Sequence, residues 1–190
     1  MPLSPPQNRE LLHSRDIALR GYLRTDGLVD VEAHLIDTKT YGFDGDDRGR
    51  VSAGEPIHDM WLRMTVDEDM TIVACEAATD HSPYAVCPAA APNFASLAGI
   101  TIKPGFLREA AQRVGGTRGC THLRELLQQV ATVAFQTLYP VRERRGSEHK
   151  PGNRPALLNS CLAYGSDSPV VQRRWPEFFT GRSEEAAKQS

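Results

Sequence analysis

Two neighbouring stretches alternate apolar and polar side chains with a period of two, and this constrains the fold most. In "DIALRGYLR" (16–24), Ile17, Leu19 and Leu23 alternate with charged or polar neighbours. After "TDG" (25–27), "LVDVEAHLIDTKTY" (28–41) sets Val29, Val31, Ala33 and Leu35 against Asp30, Glu32 and His34. Successive strand side chains point to opposite faces, so this pattern describes a β-hairpin spanning 10–41 with one buried face. "HDMWLRMTVDEDMTIVACEAATD" (58–80) reads as two more strands around a tight turn at Asp67–Asp69. Between the pairs, the Gly- and Asp-rich "GFDGDDRGRVSAGEP" (42–56) is expected to be a long exposed loop.

The period then changes. "PAAAPNFASLAG" (88–99) opens on a proline, which suits a first helical position, and closes on Gly99. "PGFLREAAQRVGG" (104–116) reads as a second short helix. From Thr121 to about Tyr139, the residues Leu123, Leu126, Leu127, Val130, Ala134 and Leu138 recur at three- and four-residue steps, as in a long amphipathic helix. Strands first and helices after imply an α+β fold, a four-stranded antiparallel meander with helices on one face. The expected organisation is a single domain over 1–141, a basic linker at 142–155, and an appendage at 156–190 with a disordered end.

Composition narrows the function. Lys and Arg total 22 against 24 for Asp and Glu, a formal charge of −2, which argues against bulk electrostatic binding of nucleic acid. No apolar run approaches a membrane span and the N-terminal stretch has no signal-peptide core, so the cytoplasm is the expected compartment. The four cysteines (Cys75, Cys87, Cys120, Cys161) are far apart, with no Cys-x-x-Cys pair. In such a compartment each is a ligand, a nucleophile or a core residue, not half of a disulfide.

Metal-competent side chains concentrate at element ends. His58 and Asp59 open the third strand, Cys87 falls at the expected N-cap of the first helix, and Cys120 starts the long one. A helix N-terminus carries roughly half a positive charge and favours a thiolate. Cys120 is also in phase with Leu123 and Leu127, so a buried structural thiol is an equal reading for it. Residues two apart on a helix face different ways, which makes Cys120 and His122 a poor catalytic pair unless the first turn is irregular. Cys75 and Cys161 read as structural. His34, with Asp30 and Glu32, reads as part of a solvated polar face; His13, His81 and His149 are expected to face water, and Trp61, Tyr84 and Phe94 to lie in the core.

Residues 54–139 resemble the U-type scaffold proteins of iron–sulfur cluster assembly. "GEPIHDMWLRMTVDEDMTIVACEA" is similar to that family's strand pair, Asp59 matches its aspartate, Cys87 its second cysteine, and Cys120 in "RGCTHLRELLQQVATVAF" its third. The family's first cysteine is replaced by Ile57–His58, so the resemblance implies His58 as the substitute ligand. The family's Leu-Pro-Pro-Val-Lys motif is missing before Cys120. The whole chain also resembles an uncharacterised bacterial family with similar "GEPIHDMWLR" and "GCTHL" segments.

His58, Asp59, Cys87 and Cys120 together suit tetrahedral zinc or iron. With one position open, such a metal would make a metalloenzyme, a hydrolase or lyase for a small carbonyl or ester-like substrate, with Asp59 or His122 as acid or base. The alternative is an iron–sulfur cluster or sulfur carrier that serves a dedicated partner protein.

Overall fold

The computed structural model describes residues 3–145 and 154–181. Four strands form one antiparallel sheet: β1 (His13–Leu23), β2 (Val29–Lys39), β5 (Pro56–Val66) and β6 (Ile72–His81), side by side in the order β1-β2-β5-β6. This is the expected meander, and the domain is α+β. The first hairpin pairs without interruption from His13↔Lys39 to Leu23↔Val29. The turn from β5 to β6 is held by the Asp67 carboxylate, which accepts from the N–H groups of Asp69 and Thr71.

Alternation decides what the sheet buries. On one face, apolar rows run across β1, β2 and β5: Ile17, Leu35 and Met60, then Leu19, Ala33 and Leu62. Val29, Val31, Ala33 and Leu35 are fully buried. Against this face pack Phe94 and Leu97, then Phe106, Ala110 and Val114 of α1 (Phe106–Val114), and Leu123, Leu126, Leu127 and Val130 of α2 (Thr121–Arg144). The opposite face stays polar, where Arg63 links Glu32 and Glu76.

Several expectations change. Residues 42–56 are not a plain loop: β3 (Phe43–Gly45) pairs with β4 (Gly49–Val51), and Val51 is buried, giving the hairpin an apolar anchor. The first helix is a 3-10 helix, Cys87–Leu97, with Pro88 and Pro92 inside it. Pro88 lies in the first turn, where its N–H would have no ladder partner, but Pro92 further in has none to give to an α-helical ladder, and Val86, not Cys87, occupies the cap. The long helix continues through Pro140 to Arg144, into the expected basic linker. Trp61 is 38% exposed on the polar face and Tyr84 is also exposed, whereas Phe94 is buried as expected. Residues 146–153, with most of that linker and His149, lie outside the described residues, as do 182–190.

Chain contacts divide after Leu138. The C-terminal unit holds the last turns of α2, a 3-10 turn at Leu162–Tyr164, and α3 (Pro169–Arg174), whose Ser168 cap accepts from the N–H of Val171. In it Val171 and Trp175 are buried, and Arg174 pairs with Glu143. Among the described residues no helix is long and apolar enough to cross a membrane.

Gly21 lies where α2 crosses β1, and a Cβ there would collide with Thr137 Oγ1. Gly21→Ala is expected to destabilise the fold by about 1–3 kcal/mol through overpacking. Thr137→Ala removes that oxygen and should recover most of the loss in the double variant, as read by a double-mutant cycle of denaturant unfolding.

Candidate metal centre

At one end of the covered face the apolar rows give way to a polar one. Arg15, Asp37 and His58 stand directly across from one another on β1, β2 and β5. Asp37 continues the phase of Val29 to Leu35, so its carboxylate points into the interior and is 1% exposed. A bulge in the β2–β5 pairing follows at once, between Asp37 and Thr38. The start of α2 brings His122 to the same place.

Asp37 is held from several sides. The Arg15 guanidinium donates Nε to Oδ1 at 2.7 Å and a terminal nitrogen to Oδ2 at 2.8 Å. His58 Nδ1 is 2.9 Å from Oδ2 and, facing an ionised carboxylate, must be the donor there. His13 Nε2 lies 3.3 Å from Oδ1, and His122 Nε2 lies 3.9 Å from Oδ2. The His58 and His122 rings overlap at 3.8 Å between centroids, tilted by 33°. On its other side His122 Nδ1 meets the Cys120 sulfur at 3.8 Å. Arg15 also reaches Glu125 at 2.5 Å.

Electrostatics follow from this packing. Burial alone would raise the Asp37 pKa, but the hydrogen bond and charge of Arg15, and then His58, outweigh it and hold the carboxyl below its ordinary range. Burial lowers the pKa of His58, and so does the neighbouring His122; Asp37 opposes both. His122 is lowered by burial and by the charge of Arg15. Both imidazoles are therefore neutral at pH 7, with a lone pair available. One ligand atom from each of Asp37, His58 and His122 lies within 4.8 Å of the other two.

Of the residues expected to form a metal site, the structure joins His58 and His122 and sets Cys120 beside His122. It does not assemble the quartet. Asp59 follows His58 on a strand and points to the opposite face, where its Oδ1 accepts from His34 Nε2 at 2.6 Å. His34 in turn stacks on Trp61 at 3.5 Å, so it belongs to a built cluster and not to a solvated row. A register shift in the β5–β6 pairing sets His81 across from Asp59. Cys87 is the first residue of the 3-10 helix and is not among the three converging groups. Cys75 is buried, with its thiol pushed up to about 12, as a structural cysteine. Cys161 is exposed instead.

The sequence reading missed Asp37 and Arg15. A signal existed: both are charged residues in the apolar phase of their strands, Asp37 after Leu35 and Arg15 before Ile17. His13, expected in water, is half-exposed and borders the carboxylate. Cys120 can meet His122 because it precedes the helix, where the spacing rule for helical residues does not apply.

Residues 13–136 match the model of a family described as "Protein of unknown function (DUF2889)", and the chain belongs to that family. The matched span contains every residue of the Asp37 cluster. No curated protein and no solved structure matches the chain.

Two outcomes follow from the cluster. Asp37→Ala leaves the Arg15 guanidinium without its carboxylate and should cost about 2 kcal/mol, less than a fully buried pair because Arg15 reaches water. The second concerns pH. Imidazoles in the unfolded chain titrate near about 6.5, and those of His58 and His122 titrate lower in the fold. Their contribution is therefore complete above that value and is lost as pH falls toward the folded pKa values. Asp37, also lowered, adds a further loss below about pH 4. Urea unfolding at pH 7.5 and 5.5 should give a smaller difference in a His58→Gln/His122→Gln variant than in the wild type.

Proposed function

We propose that this protein binds a metal ion, zinc or iron, between Asp37, His58 and His122, and is an enzyme that uses it on a small carbonyl or ester-like substrate. The observation that carries the reading is the mutual approach of the three ligand atoms, within 4.8 Å, from three separate elements. His58 is already aimed at Asp37 Oδ2. A metal would take the place of the proton on Nδ1, and the ring would shift to its Nε2–H tautomer with no change in charge.

Three protein ligands leave a fourth tetrahedral position for water, whose pKa a zinc ion lowers to about 7, or for a substrate carbonyl to be polarised. Arg15 orients the Asp37 carboxylate from behind, as outer-shell partners of metal ligands do. Its positive charge opposes a dication, and Asp37 with the nearby Glu125 offsets it. His13 at the margin is placed to exchange protons with solvent. Asp59 is less suited to an acid–base role here, since that carboxylate is engaged by His34 on the other face of the sheet.

An iron–sulfur or sulfur carrier, the reading that accompanies the resemblance to cluster scaffolds, draws on Cys120 beside His122. It needs more thiolates than that one.

Protein purified without oxygen is expected to carry about one equivalent of zinc or iron by mass spectrometry, and to lose at least about tenfold in affinity for it in His58→Ala and His122→Ala. Cys87→Ala should retain the metal. A protein that neither carries nor takes up zinc or iron would overturn the proposal. A brown preparation with labile sulfide that bleaches in Cys120→Ser would replace it with the carrier.

A further inference from the structure

The two edges of the sheet are unlike. Beside β6, the chain at 98–102 supplies partners: Ile72 N–H donates to Ile100 O and Gly99 N–H to Ile72 O, both at 2.8 Å. The Cys87–Leu97 helix packs there as well. Beside β1, no strand of the described residues pairs with the outer side. That edge is eleven residues long, contains no proline, and keeps an unbroken register with β2. Natural sheets blunt such an edge with a bulge, a proline, charged side chains or a covering segment, because its free N–H and C=O groups invite another strand. β1 has neither bulge nor proline; its inward-pointing Arg15 is neutralised by Asp37 and Glu125, and its outward-face charges are of both signs.

Those charges are self-complementary. Asp16, Ala18 and Arg20 stand across from Ile36, His34 and Glu32, so all three lie on the outward face of the sheet. Glu32, the cross-strand neighbour of Arg20, is taken by Arg63. Among the described residues neither Asp16 nor Arg20 has an ion pair. Consider an antiparallel copy of β1 laid along this edge about a two-fold axis through Ala18. Asp16 of each chain then falls opposite Arg20 of the other, twice, while Ile17 falls opposite Leu19 on the inward face. Cross-strand neighbours share a face, so this register joins like faces and satisfies both charges at once. An isologous contact of this kind is closed and does not propagate into fibres.

We infer that β1 is a homodimerisation edge: two copies pair through β1 about Ala18 and form one continuous eight-stranded sheet. The same register sets Leu23, which is exposed in the single chain, opposite His13 of the second copy, so the dimer closes over the open margin of the Asp37 cluster.

Sedimentation velocity on the full chain at tens of micromolar tests this. The wild type is expected to be a dimer. Asp16→Arg creates two like-charge pairs and should raise the dissociation constant by about tenfold or more. The exchange Asp16→Arg/Arg20→Asp should restore it. A monomeric wild type would overturn the inference, as would a dimer that tolerates Asp16→Arg, or a charge exchange that fails to rescue.

Discussion

A carboxylate with 1% exposure sets the terms at this end of the molecule. An ionised Asp37 could not remain there unpaired, because desolvation would cost far more than any single contact returns. Arg15 meets both its oxygens, His58 a third direction, and His13 and His122 approach at longer range. The pairing also ties elements together. Arg15, Asp37 and His58 are register partners on three adjacent strands, so a slip of one residue in either ladder would turn the carboxylate or its partners to the other face. The polar row is thus a register lock as well as a candidate site.

The same alternation that builds the core separates the two histidine–carboxylate clusters. On the covered face His58 and His122 attend Asp37; on the open face His34 attends Asp59 with Trp61 stacked beneath it. Adjacent residues His58 and Asp59 serve different clusters because a strand cannot aim both at one point. On the covered side His58 and His122 have lowered pKa values and stay neutral, which is the state a ligand or base needs.

Much of the fold is legible in the sequence alone. Val29 to Leu35 specified the buried face of β2, and Leu123 to Leu138 that of α2. The proline-rich segment after Cys87 is legible as helical, from Pro88 at its start and Gly99 beyond its end, but not as 3-10, a form that goes with the ladder N–H missing at Pro92. The site was only half legible. His58, Cys120 and His122 stood out by residue type at element ends, whereas Asp37 looked like one more acidic residue in a strand rich in them. Its phase, not its type, carried the signal.

What the sequence determined by itself is periodicity: which residues share a face, where strands yield to helices, and that a charge at 37 falls among apolar partners. Tertiary structure alone decided which face of the sheet is covered and where the start of α2 lands. Residues 15, 37, 58 and 122 are distant along the chain, and their meeting depends on strand register and on the docking of a helix. Both are set by core packing summed over many contacts, and no local pattern encodes them.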